Sequence, residues 1–153
     1  MDTIDSKLMH YLMLQARSTW AELGTRLGMS APAVAERVHK LEETKIIKGY
    51  SALIDPEAAG CHLAAFISVT MQSPEQRSAF LALVNNETEI QECHHAAGSQ
   101  DYILKVRCQN TRALEHLISE KIKSLPGIRT QTTIILSTVK ETPILPLMEK
   151  GSC

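Results

Sequence analysis

The sequence predicts an α+β protein in two parts, because its pattern changes once along its 153 residues. Up to residue 47, apolar side chains recur at helical spacing, and capping residues precede the helical runs. From residue 62 onward, runs rich in β-branched residues alternate with helical runs. We therefore expect a helical domain over 1–47, a linker strand and turn over 48–61, a second domain over 62–142 and a tail over 143–153.

Three helices account for the first part. The first covers 3–16 with Thr3 as its N-cap, and the second covers 20–27. Gly28 suits a left-handed helix end, and Ser30 suits the N-cap of a third helix. A short helix, a tight break and a capped helix are typical of a helix-turn-helix, so this part is predicted to be a winged-helix-like domain.

The third helix supplies the candidate DNA contacts. Its buried side is predicted to hold Val34, Val38 and Leu41, which leaves the opposite side free to enter a major groove. Small residues at the start let phosphate approach the helix N-terminus, and three charged side chains follow. The candidates are Ser30, Ala31, Pro32, Ala33, Glu36, Arg37 and Lys40.

Each charged candidate has a chemical role. The Arg37 guanidinium suits a guanine or a phosphate, Lys40 suits a phosphate, and Glu36 accepts from cytosine or repels wrong sites. From spacing alone the alternative stays open that these helices form a plain core with a charged exterior.

The second part is predicted to contain two units of strand and helix, one after the other along the chain. Residues 46–54 are expected to form a linker strand, and 55–60 a turn closed by Gly60. The strands and helices that follow cover 63–71 (strand), 73–87 (helix), 90–97 (strand), 102–108 (strand), 111–125 (helix) and 128–140 (strand). This βαββαβ order predicts a ferredoxin-like sandwich. Its helices cover one sheet face, and the apolar open face is suited to a second copy.

The loop between two adjacent strands is a candidate effector site. Gly98 can take positive φ and lets a ligand approach the backbone closely. Its N–H groups, with Ser99 and Gln100, are suited to an α-carboxylate, and Asp101 is suited to an α-ammonium. The alternative is an ordinary hairpin turn, which is what the residue types alone favour, since Gly, Ser and Asp are common in turns.

Charge, cysteines and motifs limit the remaining functions. Net charge is −1, and residues 1–50 hold seven Lys/Arg against six Asp/Glu, so DNA binding must depend on local charge or on many copies. No P-loop, GxSxG or HExxH is present, so we predict no catalytic residue and no enzyme. The segment "ECHH" (92–95), even with Cys61 or His62, is predicted not to bind metal, and no cofactor is expected.

The cellular compartment is predicted from the same features. The four cysteines lie far apart, which favours free thiols in a reducing compartment, and Cys153 is expected to be a tail thiol. The N-terminal segment lacks an apolar signal core, and no apolar stretch approaches the roughly 20 residues that span a bilayer. We therefore predict a cytoplasmic protein.

Several motifs together resemble the leucine-responsive/asparagine-responsive (Lrp/AsnC) family. They are "LGMS", "VAERVHKLE", "IIKGY", "IDP", "DYILKV" and "TIILSTVKET", and the resemblance extends from about residue 2 to 143. It implies a prokaryotic, nucleoid-associated transcription regulator that binds double-stranded DNA. It also implies a C-terminal domain that senses an amino acid, and dimers that assemble into octamers. The alternative is a metabolite-binding assembly module without specific DNA binding.

The resemblance also bears on the effector loop. The family's "G(x)(x)DY" pattern is matched by Gly98, Asp101 and Tyr102, whereas Ala97 stands where members often have a hydroxyl residue. The family's site lies between dimers, so the resemblance adds Thr133, Ile135 and Ser137 of the last strand to the effector-binding candidates.

Overall fold

The computed structural model describes residues 2–147, so Cys153 and the rest of the predicted tail beyond Leu147 lie outside it. The chain divides into two compact units. The first comprises the described residues up to Ala52 and those from Lys140 onward, and the second comprises Leu53–Val139. No helix within residues 2–147 combines the length and apolar character needed to span a membrane.

The first unit contains the three predicted helices. They are α1 (Thr3–Leu14), α2 (Trp20–Leu27) and α3 (Ala31–Glu43). The predicted N-cap Thr3 is wrong by one residue, because Asp2 caps α1 through a reciprocal bond with Asp5 that satisfies two backbone N–H groups. Ser30 caps α3 as predicted.

One apolar cluster holds these helices together. The buried residues of α3 are Val34, Val38 and Leu41, as the helical spacing predicted. They pack with Leu8, Met9, Leu12 and Leu23 of the other two helices. Leu147 packs against the same cluster, so the described C-terminal segment returns to the first unit.

The predicted linker strand over 46–54 does not form. A lone strand leaves its backbone N–H and C=O groups unpaired, and residues 46–54 have no partner strand among residues 2–147. Leu53 and Ile54 are consequently exposed.

The second unit confirms the predicted βαββαβ order. Its elements are β1 (Leu63–Met71), α4 (Arg77–Asn86), β2 (Ile90–His95), β3 (Tyr102–Cys108), α5 (Thr111–His116) and β4 (Ile128–Ile135). The strands form one antiparallel sheet in the order β2-β3-β1-β4. The predicted α+β class and ferredoxin-like sandwich are therefore confirmed.

Several elements differ in detail from the prediction; among them, α1 ends at Leu14 instead of 16 and β2 at His95 instead of 97. The helix predicted over 73–87 begins as a 3₁₀ turn, Pro74–Gln76, and α5 continues as a π-helical segment, Leu117–Ile122. β4 ends at Ile135 rather than at 140, because β1 offers pairing partners only as far as Ala64.

The two faces of the sheet differ in burial. Ala65, Ile67 and Val69 of β1 are fully buried beneath the helices, together with the alternate residues of β3. Phe66 points to the opposite face and is 43% exposed. The sheet thus has one covered face and one open face, as the sequence predicted.

Candidate functional site

A tight turn sets the angle between α2 and α3. Gly28 ends α2 with φ 67°, a left-handed conformation that a side chain would strain. Gly24 is buried where the two helices approach, and a Cβ there would lie 2.5 Å from the carbonyl oxygen of Met29. The helix-turn-helix crossing therefore depends on glycine at both positions.

The outward face of α3 differs from the predicted set in one residue. Pro32, Glu36 and Lys40 are exposed on the side away from the core. Arg37, predicted on or near this face, is only 31% exposed and lies on the flank that faces α1. Successive residues turn by about 100°, which puts Arg37 only ~60° from the buried Val34.

Arg37 is engaged by two carboxylates of α1. Its Nη1 lies 2.8 Å from Asp2 Oδ2 and 2.7 Å from Asp5 Oδ1. The hydrogen bond to Asp2 is the largest cause that raises the pKa of Arg37, followed by that to Asp5. The positive charge of Arg37 is therefore paired with two carboxylates of the same unit.

The first turn of α3 offers few backbone donors to a phosphate. Ser30 Oγ accepts from the Ala33 N–H at 3.4 Å, and Pro32 has no N–H. Ala31 supplies the remaining donor at the start of this helix. Ser30, Ala31, Pro32 and Ala33 lie together at this end as predicted, but their capacity to bind an anion through N–H groups is small.

His39 is an outward residue that the sequence analysis missed. Its side chain is 72% exposed, and its Nε2 lies 3.2 Å from Glu43 Oε1. It is five residues after Val34, which at 100° per residue puts it on the side opposite the core. A helical projection of α3 would have found it.

The predicted effector loop lies at the end of β1. Asp101 Oδ2 accepts a hydrogen bond from the Met71 N–H at 2.6 Å. The Asp101 N–H donates to Val69, and its carbonyl oxygen accepts from the Ala96 N–H, both at 2.9 Å. Asp101 therefore holds the loop to the sheet, with one carboxylate oxygen used in doing so.

The other loop residues are more open. Gly98 does not adopt positive φ here, and a Cβ on it would meet no atom within 4 Å. The Ser99 hydroxyl donates to Gln100 Oε1 at 2.6 Å. Space beside Gly98 is thus available, although no strained backbone requires glycine there.

Tyr102 follows the loop and points into the core. It is 4% exposed, and its ring lies 5.0 Å from the rings of both Phe80 and His95. Its hydroxyl has no hydrogen-bond partner among residues 2–147. As placed, this side chain is not accessible to a ligand at the loop surface.

The three candidates from the last strand are distant from that loop within one copy. Tyr102 pairs with Val69, which pairs with Thr130 on the other side of β1. Thr133 is about 10 Å further along β4 and Ile135 about 17 Å, at 3.3 Å per residue. Ser137 lies beyond β4, on no strand face.

The "ECHH" segment does not bring metal ligands together. Cys93 and His95 share the face of Leu104 and Tyr102, whereas His94 lies on the open face beside Glu92, at 3.1 Å. His62 contacts Glu57 instead, at 2.7 Å. Among residues 2–147, no three His, Cys, Asp or Glu side chains converge as a metal site would need.

Comparisons with known proteins agree with this architecture. Residues 64–145 match the Lrp/AsnC ligand binding domain, and residues 1–42 match the AsnC-type helix-turn-helix domain. The HTH-type transcriptional regulator LrpA of Mycobacterium tuberculosis is 41% identical over 138 residues, which is 90% of this chain and 91% of that protein.

Solved structures extend the similarity to the whole fold. A transcriptional regulator of Neisseria meningitidis in complex with L-methionine has a TM-score of 0.90 at 30% identity, covering 95% of this chain and 96% of that one. A feast or famine regulatory protein of M. tuberculosis complexed with L-methionine has a TM-score of 0.85 at 40% identity, covering 92% and 95%.

These matches confirm the resemblance drawn from the sequence motifs and decide between the functions considered there. A helix-turn-helix domain joined to this ligand-binding domain, across nearly the whole chain, rules out the assembly module without DNA binding. The expectation of a non-enzymatic protein is confirmed by the same relatives. The chain belongs to the Lrp/AsnC family of DNA-binding transcription regulators.

Proposed function

We propose that this regulator reads DNA with the outward face of α3 and alters that binding when an amino acid occupies its β2–β3 loop in an oligomer. The DNA-binding part of this proposal rests on the difference between the buried and the exposed face of α3. Its core stripe, Val34 to Leu41, is fully used in packing, while Pro32, Glu36 and Lys40 remain exposed.

The DNA contacts follow from that exposed face. The small residues Ser30, Ala31, Pro32 and Ala33 allow close approach at the N-terminal end, where helix-turn-helix proteins meet base edges. Glu36 accepts from cytosine, and Lys40 neutralises a phosphate. The outward His39 adds a further donor on the same face.

A salt titration tests the role of this face. Full-length protein is first used to select DNA fragments from a random pool, and affinity is then measured by fluorescence anisotropy at several salt concentrations. We expect Lys40→Ala to reduce the slope of log affinity against log salt by about 1 per DNA-bound copy. Lys123→Ala, an exposed lysine of the second unit, is the control. An unchanged slope in Lys40→Ala would remove α3 from the DNA interface.

The proposed effector is an amino acid, and L-methionine is the first to test because two related structures contain it. The second carboxylate oxygen of Asp101 accepts a hydrogen bond from the ammonium group of the amino acid. Ser99 and Gln100, with the backbone at Gly98, hold its carboxylate. Tyr102 supports the loop from the core side. Because Thr133, Ile135 and Ser137 are distant within one copy, they complete the site only from a neighbouring copy.

The proposed assembly is a dimer that forms higher even oligomers, and an octamer is the family expectation. Phe66 is exposed on the open sheet face and the half-buried Ile135 lies on the same face, so this apolar surface suits an isologous contact. Several copies also compensate for the low positive charge of one DNA-binding unit. The amino acid can shift DNA binding only if it binds the alternative assemblies with different affinity.

Sedimentation tests the assembly. Phe66→Asp is expected to lower the molecular mass at micromolar concentration, since it places a charge on the open face. Ser119→Asp, which is exposed on the helix side, is the matched control. If Phe66→Asp sediments like the wild type, the open face is not the contact between copies.

A further inference from the structure

We propose that Arg37 is a positioning residue, which fixes α3 against the N-terminus of α1 instead of contacting DNA. The inference rests on the proposed function, because it concerns how the DNA-binding face of α3 is oriented. Its basis is the placement of one guanidinium nitrogen within 2.8 Å of two carboxylates on another helix.

The two carboxylates form an arranged acceptor for the guanidinium. Asp2 Oδ1 accepts from the Asp5 N–H at 2.8 Å, and Asp5 Oδ2 accepts from the Asp2 N–H at 2.9 Å. The remaining oxygen of each, Asp2 Oδ2 and Asp5 Oδ1, accepts from Arg37. All four carboxylate oxygens are thereby used, and the helix cap and the inter-helix contact form one closed network.

Charge strengthens this network and weakens Arg37 as a phosphate ligand. The Asp5 backbone N–H and then the Arg37 guanidinium hold the pKa of Asp2 below its usual value. Two carboxylates face one guanidinium, so the group carries a net negative charge near neutral pH. A DNA phosphate would therefore meet repulsion from Asp2 and Asp5 before it reached Arg37.

The position of Arg37 on α3 explains what the network would control. Arg37 lies between the core residues Val34 and Val38 and adjoins the outward Glu36 in sequence. A contact on this flank opposes rotation of α3 about its own axis, in addition to the packing of Val34 and Val38 in the core. Rotation would turn Glu36 and Lys40 away from their DNA partners.

Removing the two carboxylates distinguishes a DNA-contacting Arg37 from a positioning Arg37, because the two roles predict opposite changes in DNA affinity. The Asp2→Asn/Asp5→Asn double variant keeps side-chain oxygens for the helix cap but removes the charges that hold Arg37. If Arg37 contacts DNA, its release should raise DNA affinity. If Arg37 positions α3, affinity should fall several-fold with an unchanged salt slope. The Glu42→Gln/Glu43→Gln double variant, which removes two carboxylates of α3 outside the network and keeps their side-chain oxygens, measures the general effect of losing two negative charges.

Arg37 variants provide the second readout on the same selected DNA. Arg37→Met keeps an unbranched apolar stem but removes the guanidinium group, and we expect it to lower affinity several-fold without altering the salt slope. Its effect and that of the Asn double variant should not add when combined, because they break one network. A slope reduced by about 1, as expected of a phosphate contact, or a gain in affinity in the Asn double variant beyond that of Glu42→Gln/Glu43→Gln, would overturn the proposal.

The result that would contradict the proposed function differs from the results that would contradict the positioning role of Arg37. An unchanged slope in Lys40→Ala would remove the outward face of α3 from DNA. In that case the network can still be tested by thermal unfolding. The effects of Arg37→Met and the Asn double variant on the unfolding midpoint should not add when the variants are combined. Additive effects on the unfolding midpoint would contradict the network independently of DNA.

Discussion

The backbone carbonyl oxygen of Met29 lies 2.5 Å from the position that a Cβ atom on residue 24 would occupy, so Gly24 cannot carry a side chain without a backbone shift. We predict that Gly24→Ala destabilises the first unit by about 1–3 kcal/mol, the usual cost of forcing atoms into a packed site. Chemical denaturation monitored through Trp20 measures this change.

Gly98→Ala is the matched control for that substitution. Its Cβ would meet no atom within 4 Å, and its φ is not positive, so stability should be unchanged or slightly raised. Equal losses in the two variants would show that the close approach at Gly24 is not what makes glycine necessary there.

Asp101 is predicted to have a structural role that is separable from its charge. Asp101→Ala leaves the Met71 N–H without its partner and should cost about 1–3 kcal/mol. Asp101→Asn retains a side-chain oxygen that can accept this hydrogen bond, so most of the stability should remain. Denaturation of both variants measures the difference, and equal losses would assign the effect to the charge instead.

The Tyr102 hydroxyl provides a test of core packing. A buried hydroxyl without a partner costs free energy, so Tyr102→Phe should leave the second unit equally stable or raise its stability by about 1 kcal/mol. Thermal unfolding by circular dichroism measures it. A loss of more than about 1 kcal/mol would mean that the hydroxyl makes a stabilising bond.

The returning C-terminal segment is expected to stabilise the helical unit. Leu147 packs against the cluster of Leu8 and Val38, and truncation to alanine should cost about 1 kcal/mol through lost apolar burial. Leu145→Ala is the control, because its side chain is largely exposed and its backbone N–H contact with Met13 Sδ is retained. Equal unfolding midpoints for the wild type and Leu147→Ala would argue against this packing.

Local patterns in the sequence predicted most of the fold. Alternation located β3, and helical spacing located α2 and the core face of α3, because burial imposes those periods. The β-branched residues of 63–71 located β1. The missing strand over 46–54 could not be foreseen, since β-propensity does not reveal whether a partner strand exists. The packing of Leu147 against the apolar cluster of the three helices was equally hidden, because it joins residues that are distant in sequence.

The DNA-binding face of α3 and the effector loop before Tyr102 stay predictions, but the structure shows contacts there that the motifs could not reveal. The Arg37 network depends on Asp2 and Asp5, more than 30 residues away, and no local pattern links them. Asp101 was predicted to face a ligand, yet its bond to Met71 depends on the register between β1 and β3.

The central claim is that an amino acid binds this protein at the loop of Gly98 to Asp101. A ligand at a hundred times its dissociation constant adds about 2.7 kcal/mol to the stability of the folded form. The most direct measurement is therefore a thermal-shift screen of the twenty amino acids against the wild type and Asp101→Asn. We predict that L-methionine, or an amino acid with a related side chain, raises the unfolding midpoint of the wild type and not that of Asp101→Asn. An unchanged midpoint with every amino acid, or an equal rise in both proteins, would contradict the claim.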